Sequence, residues 1–139
     1  MNNFYNYQDN LDTYKYKPNN SAINDLVTPY EGFIRGNMFK SLYEPYKNIT
    51  PYQIRPMNKQ AEMLTSIDAL TFALLDMNLY LDIYPKDTEV INLYTHYNTQ
   101  NKQLKEEYEN MYGPLTTSSS ATSKTPWSWD DKPWPWDNI

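Results

Sequence analysis

The residues able to do chemistry are few. His96 is the chain's one imidazole and cysteine is absent, so every site that needs two histidines or a thiolate is excluded. A carboxylate-bridged metal centre in a helical bundle requires Glu-x-x-His pairs on facing helices. Leu93, not an acid, stands three positions before His96. The face His96 shares with Glu89, Gln100, Gln103 and Glu107 reads as solvated. Asp68 lies inside an apolar stretch near Thr71 and Asn78. It is either a buried acid with a raised pKa or a carboxylate hydrogen-bonded across a helix interface. Asp76 falls on another side with Ala69 and Ala73, whose small side chains let a second backbone approach. Three scattered glycines make no phosphate-cradling loop. No cofactor and no metal are expected, and a small enzyme built on Asp68 or Asp76 is the weakest reading.

The tryptophans are more telling. All four, Trp127, Trp129, Trp134 and Trp136, lie near the end of the given sequence, in Pro-Trp-Ser-Trp and Pro-Trp-Pro-Trp. Exposed Trp presents a large apolar area and is enriched at binding hot spots. The interleaved prolines hold such a segment extended and lower the entropy lost on docking. The two readings are a partner-binding tail and a tail that folds back onto its own chain. The Tyr-rich start (Tyr5, Tyr7, Tyr14, Tyr16) is either a set of sticky contacts or a compositional habit.

Elements must position these residues. The strongest pattern is Met63, Ile67, Leu70, Leu74, Met77 and Leu81, in alternating steps of four and three on one helix face. Leu64, Phe72, Leu75 and Leu79 widen the apolar arc past half the circumference. One neighbouring helix cannot cover that arc, so two buried sides are expected. Tyr84-Pro85 breaks the helix, and Asp87 or Thr88 caps the next. The second stripe is Val90, Tyr94, Tyr97, Asn101, Leu104, Tyr108 and Met111, ended by Gly113-Pro114. The fold class is all-α: an antiparallel two-helix hairpin with extended, largely irregular N- and C-terminal arms.

Four segments follow. Residues 1–28 read as a Tyr/Asn-rich flexible arm. Residues 29–56 carry prolines at 45, 51 and 56 and room for one short helix, from about Met38 to Tyr43. Residues 57–115 are the hairpin. Residues 116–139 are a Ser/Thr linker and the Trp/Pro-rich tail. The net charge of −5 over 139 residues argues against nucleic acid as a partner. Residues 1–10 lack the basic start and apolar run of a signal peptide. The stretch 67–81 contains Asp68, Asp76 and Asn78, so it reads as a buried helix and not a membrane span. The chain is expected to stay inside the cell that makes it.

Several motifs then fall in order: Leu79-Tyr80-Leu81-Asp82 with Pro85, Gln103-Leu104-Lys105, Glu107-Tyr108, Tyr112-Gly113-Pro114-Leu115, and the Pro-Trp endings. Together, from about Glu62 onward, they resemble the CotJB family of spore-coat proteins. Thr71 and Tyr84 stand where that family often has Asp and His, so no role of those residues is carried over. The segment Pro29–Tyr46, with Arg35-Gly36-Asn37-Met38-Phe39, Leu42-Tyr43 and Pro45-Tyr46, is similar to the CotJA family. The resemblance implies an inner spore-coat component made in the mother cell. It also implies association with a manganese-catalase-like coat protein and no catalysis by this chain.

The expected role is a structural coat protein acting as an adaptor between proteins. Its expected partner contacts are Gly36, Phe39, Tyr43, Tyr46, Leu79, Tyr80 and the four tryptophans. Other coat proteins and a second copy of the chain are further expected partners. The alternative is a regulatory module that masks a partner enzyme.

Overall fold

A computed structural model describes residues 22–44 and 47–130. Among them are three α-helices: α1 (Pro29–Arg35), α2 (Lys59–Ile83) and α3 (Thr88–Tyr112). Short 3-10 turns occur at Ala22–Asp25, Lys40–Leu42, Ser120–Ser123 and Ser128–Asp130.

The hairpin is α2 packed antiparallel on α3. Asn58 starts α2, its side chain accepting from the Ala61 N–H at 2.8 Å. Tyr84 closes it, donating its backbone N–H to the Tyr80 carbonyl at 2.9 Å, and Pro85 follows. Asp87 caps α3, one carboxylate oxygen accepting from the Val90 N–H at 3.2 Å. Its other oxygen accepts from the Tyr80 hydroxyl at 2.9 Å, so one side chain fixes both helices at the turn. Gly113, at φ 109, ends α3 in a backbone region that side-chain-bearing residues avoid. Cross-links recur along the pair: Gln60 Nε2 donates to the Tyr108 hydroxyl at 2.9 Å, and Asn101 Nδ2 donates to Thr71 Oγ1 at 3.2 Å. Met63, Ile67, Leu70, Leu104 and Tyr108 form the buried cluster between the helices.

The second buried side of α2 is covered by the chain's own N-terminal residues. α1 is capped by Thr28, whose hydroxyl accepts from the Glu31 N–H at 3.2 Å. Pro29 occupies its first turn, where no N–H is needed. Gly36, at φ 76, closes it in the left-handed conformation. Val27 then pairs with Met38, N to O at 2.9 Å, and Leu26 bridges Phe39 antiparallel. Val27, Met38 and Phe39 pack against Ala73. Phe33 meets Phe72 at 6.2 Å between ring centroids, and Phe39 meets Tyr80 at 5.2 Å.

These contacts correct two expectations. The irregular N-terminal arm does not extend to residue 28, because Ile23 and Val27 are buried in the fold. The short helix expected over Met38–Tyr43 is only the 3-10 turn Lys40–Leu42, and the α-helix of this region is α1. Met38 and Phe39 instead precede that turn and pack against Ala73 of α2. The expected Ser/Thr linker is anchored too. The Glu109 carboxylate accepts from the Leu115 N–H at 2.9 Å and from the Ser119 hydroxyl, and Thr122 is buried.

Helix α2 is long and apolar enough by composition to cross a membrane. Its two packed sides account for that composition within the fold. Asp68, open to solvent near the helix middle, would be costly in hydrocarbon.

Candidate functional site

The site lies on the side of the hairpin that neither α3 nor the N-terminal residues cover. Leu75, Leu79 and Ile83 recur once per turn of α2 and are 60%, 56% and 71% exposed. Such a row on a folded chain is a candidate docking surface. At the end of α2 an open groove of about 470 Å³ is lined by Tyr80, Ile83, Tyr84, Pro85, Lys86 and Asp87. The Tyr80 and Tyr84 rings meet there at a tilt, with centroids 4.8 Å apart. The Tyr80 hydroxyl is pushed up to about 12, first by desolvation and then by the hydrogen bond and negative charge of Asp87. It is therefore a neutral donor across the physiological range.

The residues expected to bind partners are dispersed. Leu79 is exposed on the apolar row, and Tyr80 is half-buried between Phe39 and Tyr84. Gly36 is an exposed helix cap. Phe39, expected as a partner contact, is buried inside the chain against Tyr80. Asp76 accounts for this: its Oδ2 accepts from the Met38 N–H at 2.8 Å and turns the next residue inward. Tyr43 lies under the Arg35 guanidinium at 5.1 Å. Trp127 is exposed and Trp129 half-buried. Tyr46, Trp134 and Trp136 lie outside the described residues.

The hairpin stripe divides by depth. Met63, Ile67, Leu70, Met77, Val90, Leu104 and Tyr108 are buried, whereas Leu74, Leu81, Tyr94 and Tyr97 are half-buried. Met111, expected in the core, is 56% exposed. Tyr108 already pairs with Gln60, beside the first residue of α2, so Met111 projects past the end of the partner helix. Asp68 is an exposed carboxylate. Desolvation by its packed neighbours raises its pKa, while the nearby Lys105 charge pulls the other way. Among the described residues no group of three or more His, Asp or Glu side chains could hold a metal ion.

A family model described as CotJB protein matches residues 61–137, over half of the chain. The chain belongs to the CotJB family. CotJB proteins are spore-coat proteins, a structural family not known for catalysis. The CotJB match spans α2, α3 and the anchored segment beyond them, and reaches the Pro-Trp-Pro-Trp repeat. It starts at residue 61, so residues 29–46, expected to be CotJA-like, and the whole covering segment lie outside it, and no match supports that expectation. No curated protein and no solved structure matches the chain.

Sequence reasoning missed α1 and the residues that seat it, Gly32 and Met38. The signals were present: Thr28-Pro29 followed by Glu31, and Gly36 at the far end, are start and stop marks of a short helix.

Proposed function

We propose that this CotJB protein is a structural adaptor of the spore coat, made in the mother cell, that assembles with a manganese-catalase-like coat protein. The observation that carries the adaptor reading is the open row Leu75, Leu79, Ile83 on a helix whose other two sides are packed. Covering a side chain of this kind contributes about 1.5–3 kcal/mol, so three in one row support a stable contact. The catalase-like partner rests on the family resemblance, as does the CotJA-like reading of residues 29–46.

Co-expression tests it. The tagged chain and a manganese-catalase-like coat protein from the same genome are co-purified, and the eluate is weighed by light scattering. A defined complex that Leu75→Asp with Leu79→Asp dissolves, with helix content retained, is the expected result. Elution of the wild-type chain without the enzyme overturns the partnership.

A further inference from the structure

The hairpin-turn groove and the Pro-Trp-Pro-Trp sequence are complementary in chemistry. The groove offers two tilted tyrosine rings, Pro85 and Ile83 as an apolar lining, with Lys86 among its residues. Aromatic-lined grooves of this kind receive proline-rich extended segments, whose preset backbone loses little entropy on docking. Residues 133–136 supply that chemistry in two Pro-Trp steps, followed directly by Asp137 as a counter-charge for Lys86.

Distance decides whose groove is filled. The chain leading to the segment is tethered at the end of α3 remote from the turn. Ser128 Oγ donates to the Ala121 carbonyl at 2.8 Å, the Ala121 N–H donates to Ser119 Oγ at 3.1 Å, and Ser119 donates to Glu109. Roughly 33 Å of helix separates Glu109 from the groove residue Asp87 at ~1.5 Å per residue. Beyond Asp130, full extension carries the chain about 14 Å to Trp134 and about 21 Å to Trp136 at ~3.5 Å per residue. That reach is shorter than the helix, which favours the groove of a second copy over the chain's own.

We infer that residues 133–136 of one copy dock in the Tyr80–Tyr84–Lys86 groove of a second copy, so that the protein assembles head to tail. The contact is heterologous, using different surfaces on the two copies, and therefore propagates into an open array unless it closes into a ring. This does not depend on the catalase-like partner and is tested on the purified chain alone.

The test uses two defective full-length chains. One carries Trp134→Ala with Trp136→Ala and keeps its groove. The other carries Tyr84→Asp, or in a parallel variant Lys86→Glu, and keeps its tail. Helix content by circular dichroism identifies any variant that fails to fold, and Lys86→Glu on the solvent side carries the test if Tyr84→Asp does so. The wild-type chain is expected to grow in mass with concentration by light scattering, with a blue shift of tryptophan emission. Each variant alone stays monomeric. A mixture of the two restores a species of two copies and no larger, because each chain supplies one intact half. A wild-type chain monomeric at about 100 µM, where even a weak contact registers, overturns the inference. So does growth that survives in both variants, or a mixture that stays monomeric.

Discussion

The Met38 backbone N–H donates to Asp76 Oδ2 at 2.8 Å, joining an N-terminal residue to the middle of α2. Met38 is fully buried, so its N–H has no water to turn to. The bond explains why an acid stands in an apolar helix, between Ala73 and Met77.

Asp76→Ala leaves that buried donor unpaired. The loss expected is about 1–3 kcal/mol in urea unfolding monitored by circular dichroism. Asp76→Asn keeps an acceptor oxygen and should recover much of it. Equal losses in the two variants would mean that the bond contributes little.

Gly32 faces the same residue. A Cβ there would overlap Met38 Sδ and come within 3.4 Å of its Cα. Met38 has no solvent into which to swing. Gly32→Ala is expected to overpack the site and lower stability by about 1–3 kcal/mol. A thermal melt at or above the wild-type midpoint would contradict this, since the gain in helix propensity would then outweigh the clash.

Buried and exposed leucines on α2 should differ sharply. Leu70→Ala empties a site that is 1% exposed and should cost about 2–5 kcal/mol. Leu79→Ala, on the open row, should change stability by about 0.5 kcal/mol or less. Paired denaturation curves of the uncomplexed chain check both. A large loss at Leu79 would place it inside the fold and remove it from the docking surface.

Tyr80 gives a pH prediction. Its hydroxyl ionises at about 10 in an unfolded chain and at about 12 here. The folded state therefore holds the proton more tightly. The stabilisation is fully present below pH 10 and is lost as pH rises from 10 towards 12. Tyr80→Phe should flatten the fall of stability across that window and leave the neutral-pH slope unchanged. Identical slopes for both chains between pH 10 and 12 would sink the assignment.

The hairpin was legible because its punctuation is local. Pro85, Asp87 and Gly113-Pro114 each act within a turn of their own position, so the sequence carries the hairpin turn and the end of α3. Which sides of α2 are covered was harder. Leu75 and Leu79 look like core by hydrophobicity, yet they face solvent, and Ala69 and Ala73 are buried. What packs on Ala73 is the segment around Val27, Met38 and Phe39, and close approach of a neighbouring chain selects small residues over large ones. The reading of Ala69, Ala73 and Asp76 as a place for a second backbone identifies that side. Its occupant was obscured, because Met38 and Phe39 carry no period of their own and are held by a contact far away in sequence. The exposed row of Leu75, Leu79 and Ile83 was not separable from the core by hydrophobicity, and Phe39 belonged to the interior.

The segment that seats Met38 is tied to α2 by a connection only from Tyr43 to Asn58. A tether of that length holds its ligand at an effective concentration in the millimolar range. A free peptide or neighbouring protein competing for the Ala69–Ala73 side must exceed it. That side is thus kept out of circulation, while the leucine row and the turn stay open to solvent.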